Sequence, residues 1–139
     1  MNAKLVKDTL IVRLDKGDKI IESVKQLMNT FNISCASVNG IGATDEIICG
    51  VFNLSTREYK ELNFTGTYEI LSLTGNLTRM NNEPYVHLHI TVGDEDCRSF
   101  GGHLVEARIS ATAEIFIHLL DTELSRIRDN EIGLNLLDL

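Results

Sequence analysis

The chain has 139 residues, the size of one domain built on one core, which leaves no room for a catalytic domain beside a separate regulatory one. Its 43% apolar and 24% charged content, with no low-complexity tract, excludes an intrinsically disordered chain. Thirteen Lys and Arg against twenty Asp and Glu give a net charge of -7, which speaks against a surface made mainly to hold phosphate backbones.

The charge is unevenly spread. Residues 1–30 carry six basic and four acidic side chains, so residues 31–139 carry seven and sixteen. A site in the second part is therefore expected to lie in a negative field that favours cations. Met1 to Asp8 lack the apolar run of a secretory signal, and no later run nears the roughly 18 apolar residues of a membrane span. A cytoplasmic protein with no membrane partner is expected. Cys35, Cys49 and Cys97 are odd in number, widely spaced and without a C-x-x-C pair, so they are read as buried thiols rather than a disulfide framework or zinc knuckle.

In chain order, residues 4–14 read as a first strand through Leu10-Ile11-Val12, ending at Asp15-Lys16-Gly17-Asp18. Ile20, Ile21, Val24, Leu27, Met28 and Phe31 then recur at the spacing of a helix with one buried stripe, with Asp15 or Asp18 offering the N-cap oxygen. Beyond Ile33 the pattern is β-rich. Ile33–Val38 leads into Asn39-Gly40-Ile41-Gly42, read as a turn in which glycine supplies positive φ, and Glu46–Leu54 resumes as a strand. Strands are predicted at Tyr59–Phe64, Tyr68–Thr78, Tyr85–Val92, Phe100–Leu104 and Ile109–Leu120, with a polar turn at residues 79–84. The leucines from Leu134 to Leu139 are read as a last edge strand. Successive strands and one helix predict a single α+β domain over residues 1–139: a mainly antiparallel β-sheet with one long amphipathic helix packed on it. Asn39-Gly-Ile-Gly-Ala-Thr44 lacks the third glycine and the following helix of a dinucleotide-binding loop.

Three of the four histidines fall within seventeen residues. His87 and His89 alternate with Val86, Leu88 and Ile90, so both imidazoles leave the same face of one strand while the hydrocarbon enters the core. Residues 93–97 read as a hairpin turn, and the returning strand brings His103 beside the pair behind Gly101-Gly102, whose lack of side chains permits close approach. Three neutral imidazoles from two strands form the ligand set of an open zinc site; iron or manganese also suits them. His118, within an apolar strand, is read as structural. A cupin site is disfavoured, because Glu95 lies six residues after His89 in the turn and no proline follows Pro84.

Thr67-Tyr-Glu-Ile-Leu-Ser-Leu-Thr-Gly75, Val86-His-Leu-His-Ile90, Ser99-Phe-Gly-Gly-His-Leu104 and Ala111-Thr-Ala-Glu-Ile-Phe-Ile117, in that order, resemble the plants and prokaryotes conserved (PPC) domain, as do Gly17-Asp18 and Asn39-Gly-Ile-Gly-Ala43. The resemblance implies an antiparallel sheet flanked by helices, assembly as a homotrimer, and a metal at the histidines of the H-x-H and Gly-Gly-His motifs, here His87, His89 and His103. It also carries the label of a predicted DNA-binding protein. The sequence holds no AT-hook, and Thr67 stands where the plant pattern Gly-Arg-Phe-Glu-Ile-Leu has arginine.

Three readings follow: a trimeric metal protein acting on a small ligand, in which Glu69 and Glu114 are candidate acid or base groups or else, the favoured reading, solvated or turn-pairing carboxylates; a DNA-binding module using Lys4, Lys7, Arg13, Lys19 and Lys25, which the charge does not support; and an interaction module without chemistry.

Overall fold

The computed structural model describes residues 1–139. The predicted first strand is a hairpin: β1 (Asn2–Val6) turns at Lys7-Asp8 and pairs antiparallel with β2 (Thr9–Asp15). Lys7 has φ 54°, the left-handed conformation that a two-residue turn requires and that no sequence signal marked.

The helix α1 (Ile20–Thr30) buries Ile20, Ile21, Val24, Leu27 and Met28, as its periodicity predicts. It is three turns, eleven residues, rather than long, and Phe31 ends it at its exposed C-cap. Its N-cap is supplied neither by Asp15 nor by Asp18. Lys19 occupies that position without a side-chain cap, and the carboxylate of Glu106, from a distant strand, accepts the Ile21 N–H at 2.8 Å and the Glu22 N–H at 3.3 Å. Asp18 instead accepts the Asp15 N–H at 2.9 Å and shapes the preceding turn.

Three long strands replace several short predicted ones. β3 (Ala36–Asn53) runs straight through the expected Asn39–Gly42 turn, with irregularities near Gly40–Gly42 and Thr44–Glu46. Its glycines answer to close approach and not to positive φ, since a Cβ on Gly42 would meet Thr112 O and Ala113 Cα at 2.6 Å. β4 (Glu58–Met80) merges two predicted strands. A bulge between Ile70 and Ser72 switches its parity, so Ile70 and Leu73 are buried and Leu71 faces out. Asn81-Asn82, with φ 53° and 66°, form the tight turn into β5 (Glu83–Gly93), and β6 (Ser99–Leu119) again merges two predicted strands.

The main sheet runs β1-β2-β6-β3-β4-β5, antiparallel throughout. The first five residues of β6 also pair with β5, from His89↔His103 to Gly93↔Ser99, so β3, β4, β5 and β6 close on themselves. Helix α1 packs on β5 and β6, and one continuous core of 25 residues fills the interior. The terminal leucines do not extend this sheet. β8 (Leu134–Leu137) pairs only with β7 (Arg126–Asp129), and this small hairpin lies against β4. No helix is long and apolar enough to cross a membrane.

Candidate metal centre

Alternation along β5 buries Leu88, Ile90 and Val92 and turns His87 and His89 to the opposite face. Direct pairing of His89 with His103 across the closing seam puts the third imidazole on that face. The seam depends on Gly101, where a Cβ would stand 2.0 Å from Ile90 O in β5, and on the other side of β6 a Cβ on Gly102 would stand 2.6 Å from Gly50 O in β3. The expected role of the two glycines before His103 is therefore met.

The three rings lie with centroids 5.2 Å (His87–His103), 5.4 Å (His87–His89) and 5.6 Å (His89–His103) apart, and one ligand nitrogen from each lies within 4.8 Å of the others. His103 Nδ1 is the one buried side-chain nitrogen or oxygen without a hydrogen-bond partner. An orphaned buried nitrogen on one of three clustered imidazoles fits a cation there, because coordination satisfies a lone pair that no protein donor reaches. Burial, reinforced by His103, Arg126 and His89, pushes the pKa of His87 down to about 4. Burial also lowers that of His103, against an opposing pull from Glu61. Both rings are thus held neutral near pH 7, the form a metal requires.

Several residues around this cluster carry no obvious sequence signal. The histidines line a cavity of about 920 Å³ shared with Tyr59, Tyr85, Arg126 and residues of the β7–β8 hairpin. The Tyr59 ring lies 5.0 Å from that of His103. Arg126, only 8% exposed, donates to Asn76 Oδ1 at 2.6 Å and Thr78 Oγ1 at 2.8 Å, and its guanidinium stacks 4.3 Å from the centre of the Tyr85 ring. Asn76 pairs with His87 in the β4–β5 ladder, so the hairpin is pinned directly beside the imidazoles. The alternation Arg126-Ile127-Arg128 is the same i, i+2 signal as His87-Leu88-His89, and it is the one clue the sequence offers to this wall.

Other expectations are corrected. No Asp or Glu lines the histidine cavity, so the negative field inferred for residues 31–139 acts there only from outside the lining, as the pull of Glu61 on His103 does. Glu69 and Glu114 are exposed, in keeping with the solvated reading and not with an acid or base role at the histidines, and line a different, smaller depression with Ile41 and Leu71. His118 lies on the surface with Nδ1 3.3 Å from Thr9 Oγ1, apart from the cluster. Cys35 and Cys49 are buried as expected, with thiol pKa values raised by burial, whereas Cys97 is exposed at φ 61° in the β5–β6 turn.

Comparison with known proteins agrees with this architecture. The chain aligns with a "putative DNA binding protein" from Bacteroides thetaiotaomicron (33% identity, 99% of this chain and 96% of that one, TM-score 0.96). It also aligns with a plant- and prokaryote-conserved (PPC) protein from Pyrococcus horikoshii (33%, 99% and 95%, TM-score 0.87). A metal-containing protein from Archaeoglobus fulgidus matches at 28% identity over 97% of this chain and 95% of that one, with a TM-score of 0.87. No curated relative matches. The sequence profile of the Plants and Prokaryotes Conserved (PCC) domain matches residues 1–121, which include all three histidines, and the chain belongs to that family.

Proposed function

We propose that this protein binds a divalent metal ion through His87, His89 and His103, zinc foremost with iron and manganese as alternatives, and that it handles a small ligand there as a homotrimer. The observation that carries the metal reading is the convergence of three imidazoles, one ring nitrogen of each within 4.8 Å of the others, on a cluster in which the buried Nδ1 of His103 has no hydrogen-bond partner. The metal-containing relative from Archaeoglobus fulgidus supports it. Three imidazoles leave a fourth position open, where a bound zinc ion supplies Lewis acidity to a ligand. The chain's own contribution is to hold His87 and His103 neutral and to wall the position with Tyr59, Tyr85 and Arg126.

The test is the metal content of protein purified without a histidine tag. Near-stoichiometric metal that disappears in His103→Ala supports the reading, and native protein that neither contains nor takes up zinc, iron or manganese refutes it. Self-association is supported by an exposed apolar stripe on the outer sheet face, where Ile11 pairs with Phe116 and Ile41 adjoins Leu71. Light scattering on the wild type and Phe116→Glu checks this: a trimer that the charge dissociates is expected.

The name of the Bacteroides relative favours DNA binding as a second reading. Lys4 and Arg13 share one face of the β1–β2 hairpin, but Arg13 is paired with Asp15 at 3.0 Å and Glu114 lies opposite it in the ladder. Titration against duplex DNA at two salt concentrations decides the matter, since phosphate contacts weaken steeply with salt.

A further inference from the structure

The wall of the histidine cavity has a charge opposite to that of the whole protein. The chain carries -7 overall, yet Arg57, Arg126 and Arg128 line this cavity and no carboxylate does. Arg126 is the sharpest feature. It is buried, and all three of its hydrogen bonds go to neutral oxygens: Asn76 Oδ1, Thr78 Oγ1 and the Asn135 carbonyl at 2.9 Å. None of its partners is an acid. A buried guanidinium ordinarily has an anionic partner, because the cost of removing its charge from water is otherwise uncompensated. A guanidinium has five N–H donors, so two remain after those three bonds.

The space is also much larger than an ion needs. About 920 Å³ lies within the range of sites for small organic molecules. Phe52, Leu134 and Leu136 supply apolar wall beside the arginines.

The geometry points to a small organic oxyanion as the ligand, a carboxylate or phosphate head on an apolar body, held between Arg126 and the three histidines, with Arg57 and Arg128 lining the same cavity. The planar guanidinium fork suits both heads. The inference deepens the metal reading and rests on it only for what meets the end of the head opposite Arg126. The arginines act whether or not metal is present.

Calorimetric titration of zinc-loaded and chelator-stripped protein with hexanoate, hexyl phosphate, inorganic phosphate and the neutral control hexanol tests it. Hexanoate or hexyl phosphate is expected to bind one per chain, and the pair identifies the preferred head. Hexanol is expected to give no binding. Arg126→Met is expected to weaken the anion at least tenfold with zinc content unchanged. Because Arg126 also ties the β7–β8 hairpin to β4, the double variant Arg57→Gln/Arg128→Gln provides a second measure at two exposed positions and is expected to weaken binding severalfold.

Hexanol binding as well as the anions, or anion affinity unchanged in both variants, overturns the inference. Zinc content measured on the same samples separates the two ideas. Zinc bound with no anion binding refutes the oxyanion site and leaves the metal, whereas arginine-dependent anion binding in a chain that holds no zinc, iron or manganese refutes the metal and leaves the oxyanion site.

Discussion

The substitution Gly101→Ala tests how the metal centre is built without touching a ligand. Gly101 lies in the β5–β6 seam opposite Thr91, two residues before His103. Its Cβ would stand 2.0 Å from Ile90 O and 3.0 Å from Thr91 Cα, where ordinary contact begins at 3.4 Å, so the strands must part by about 1.4 Å, the difference between 3.4 and 2.0. The atoms struck are backbone in the paired strand and cannot swing aside as a side chain would. We therefore expect a loss near the top of the overpacking range, about 3 kcal/mol.

The same displacement separates His89 from His103, which pair directly at the end of the seam. Zinc affinity should then fall about 10- to 100-fold, as when other supporting groups around a metal are lost. Gly93→Ala is the control. It lies in the same seam, but its Cβ would meet only the Leu71 side chain, at 3.4 Å, and its effect on either quantity should be small. Urea denaturation of the metal-free proteins reads the stability, and competition with a chromogenic chelator reads the affinity. Equal behaviour of the two alanine variants would refute the claim that close backbone approach at Gly101 positions His103.

Acid should destabilise the metal-free protein through His87. Its folded pKa of about 4 lies below the ordinary 6.5, so between these values the unfolded chain takes up a proton that the folded chain refuses, and stability falls as pH drops through that window. At pH 5 the loss from His87 comes to about 2 kcal/mol, and urea midpoints at pH 7.5 and 5.0 should show that much less pH dependence in His87→Gln. Glu106→Ala should cost about 1–2 kcal/mol by uncapping α1, and Glu106→Gln, which keeps an acceptor oxygen, should cost less; equal stability of both with the wild type would remove Glu106 as the cap.

Much of the site was legible in short-range pattern. Strand alternation placed His87 and His89 on one face, the turn at residues 93–97 implied the return of β6, and Gly101-Gly102 marked the close approach that lets His103 join them. The helical stripe was equally clear, because a period of 3.6 residues is a local property. The expected turn at Gly40 was misread for the converse reason. Glycine signals either a turn or a neighbouring backbone, and only the pairing of β3 with β6, which sets Gly42 against Ala113, distinguishes them.

The sequence by itself thus determined the fold class, the family resemblance, and the three histidines as a group. The tertiary structure alone decided what surrounds them. Glu106 caps a helix 85 residues away in sequence, and Arg126 reaches Asn76 and Thr78 from a hairpin whose leucines read only as a tail. The acidity of the chain gave no warning of a cavity wall whose only formal charges are three arginines. The physical reason is the short range of these effects. Hydrogen bonds act over about 3 Å and screened charges over about 10 Å, so a site answers to the groups that register and strand closure bring beside it, and not to composition summed over the chain.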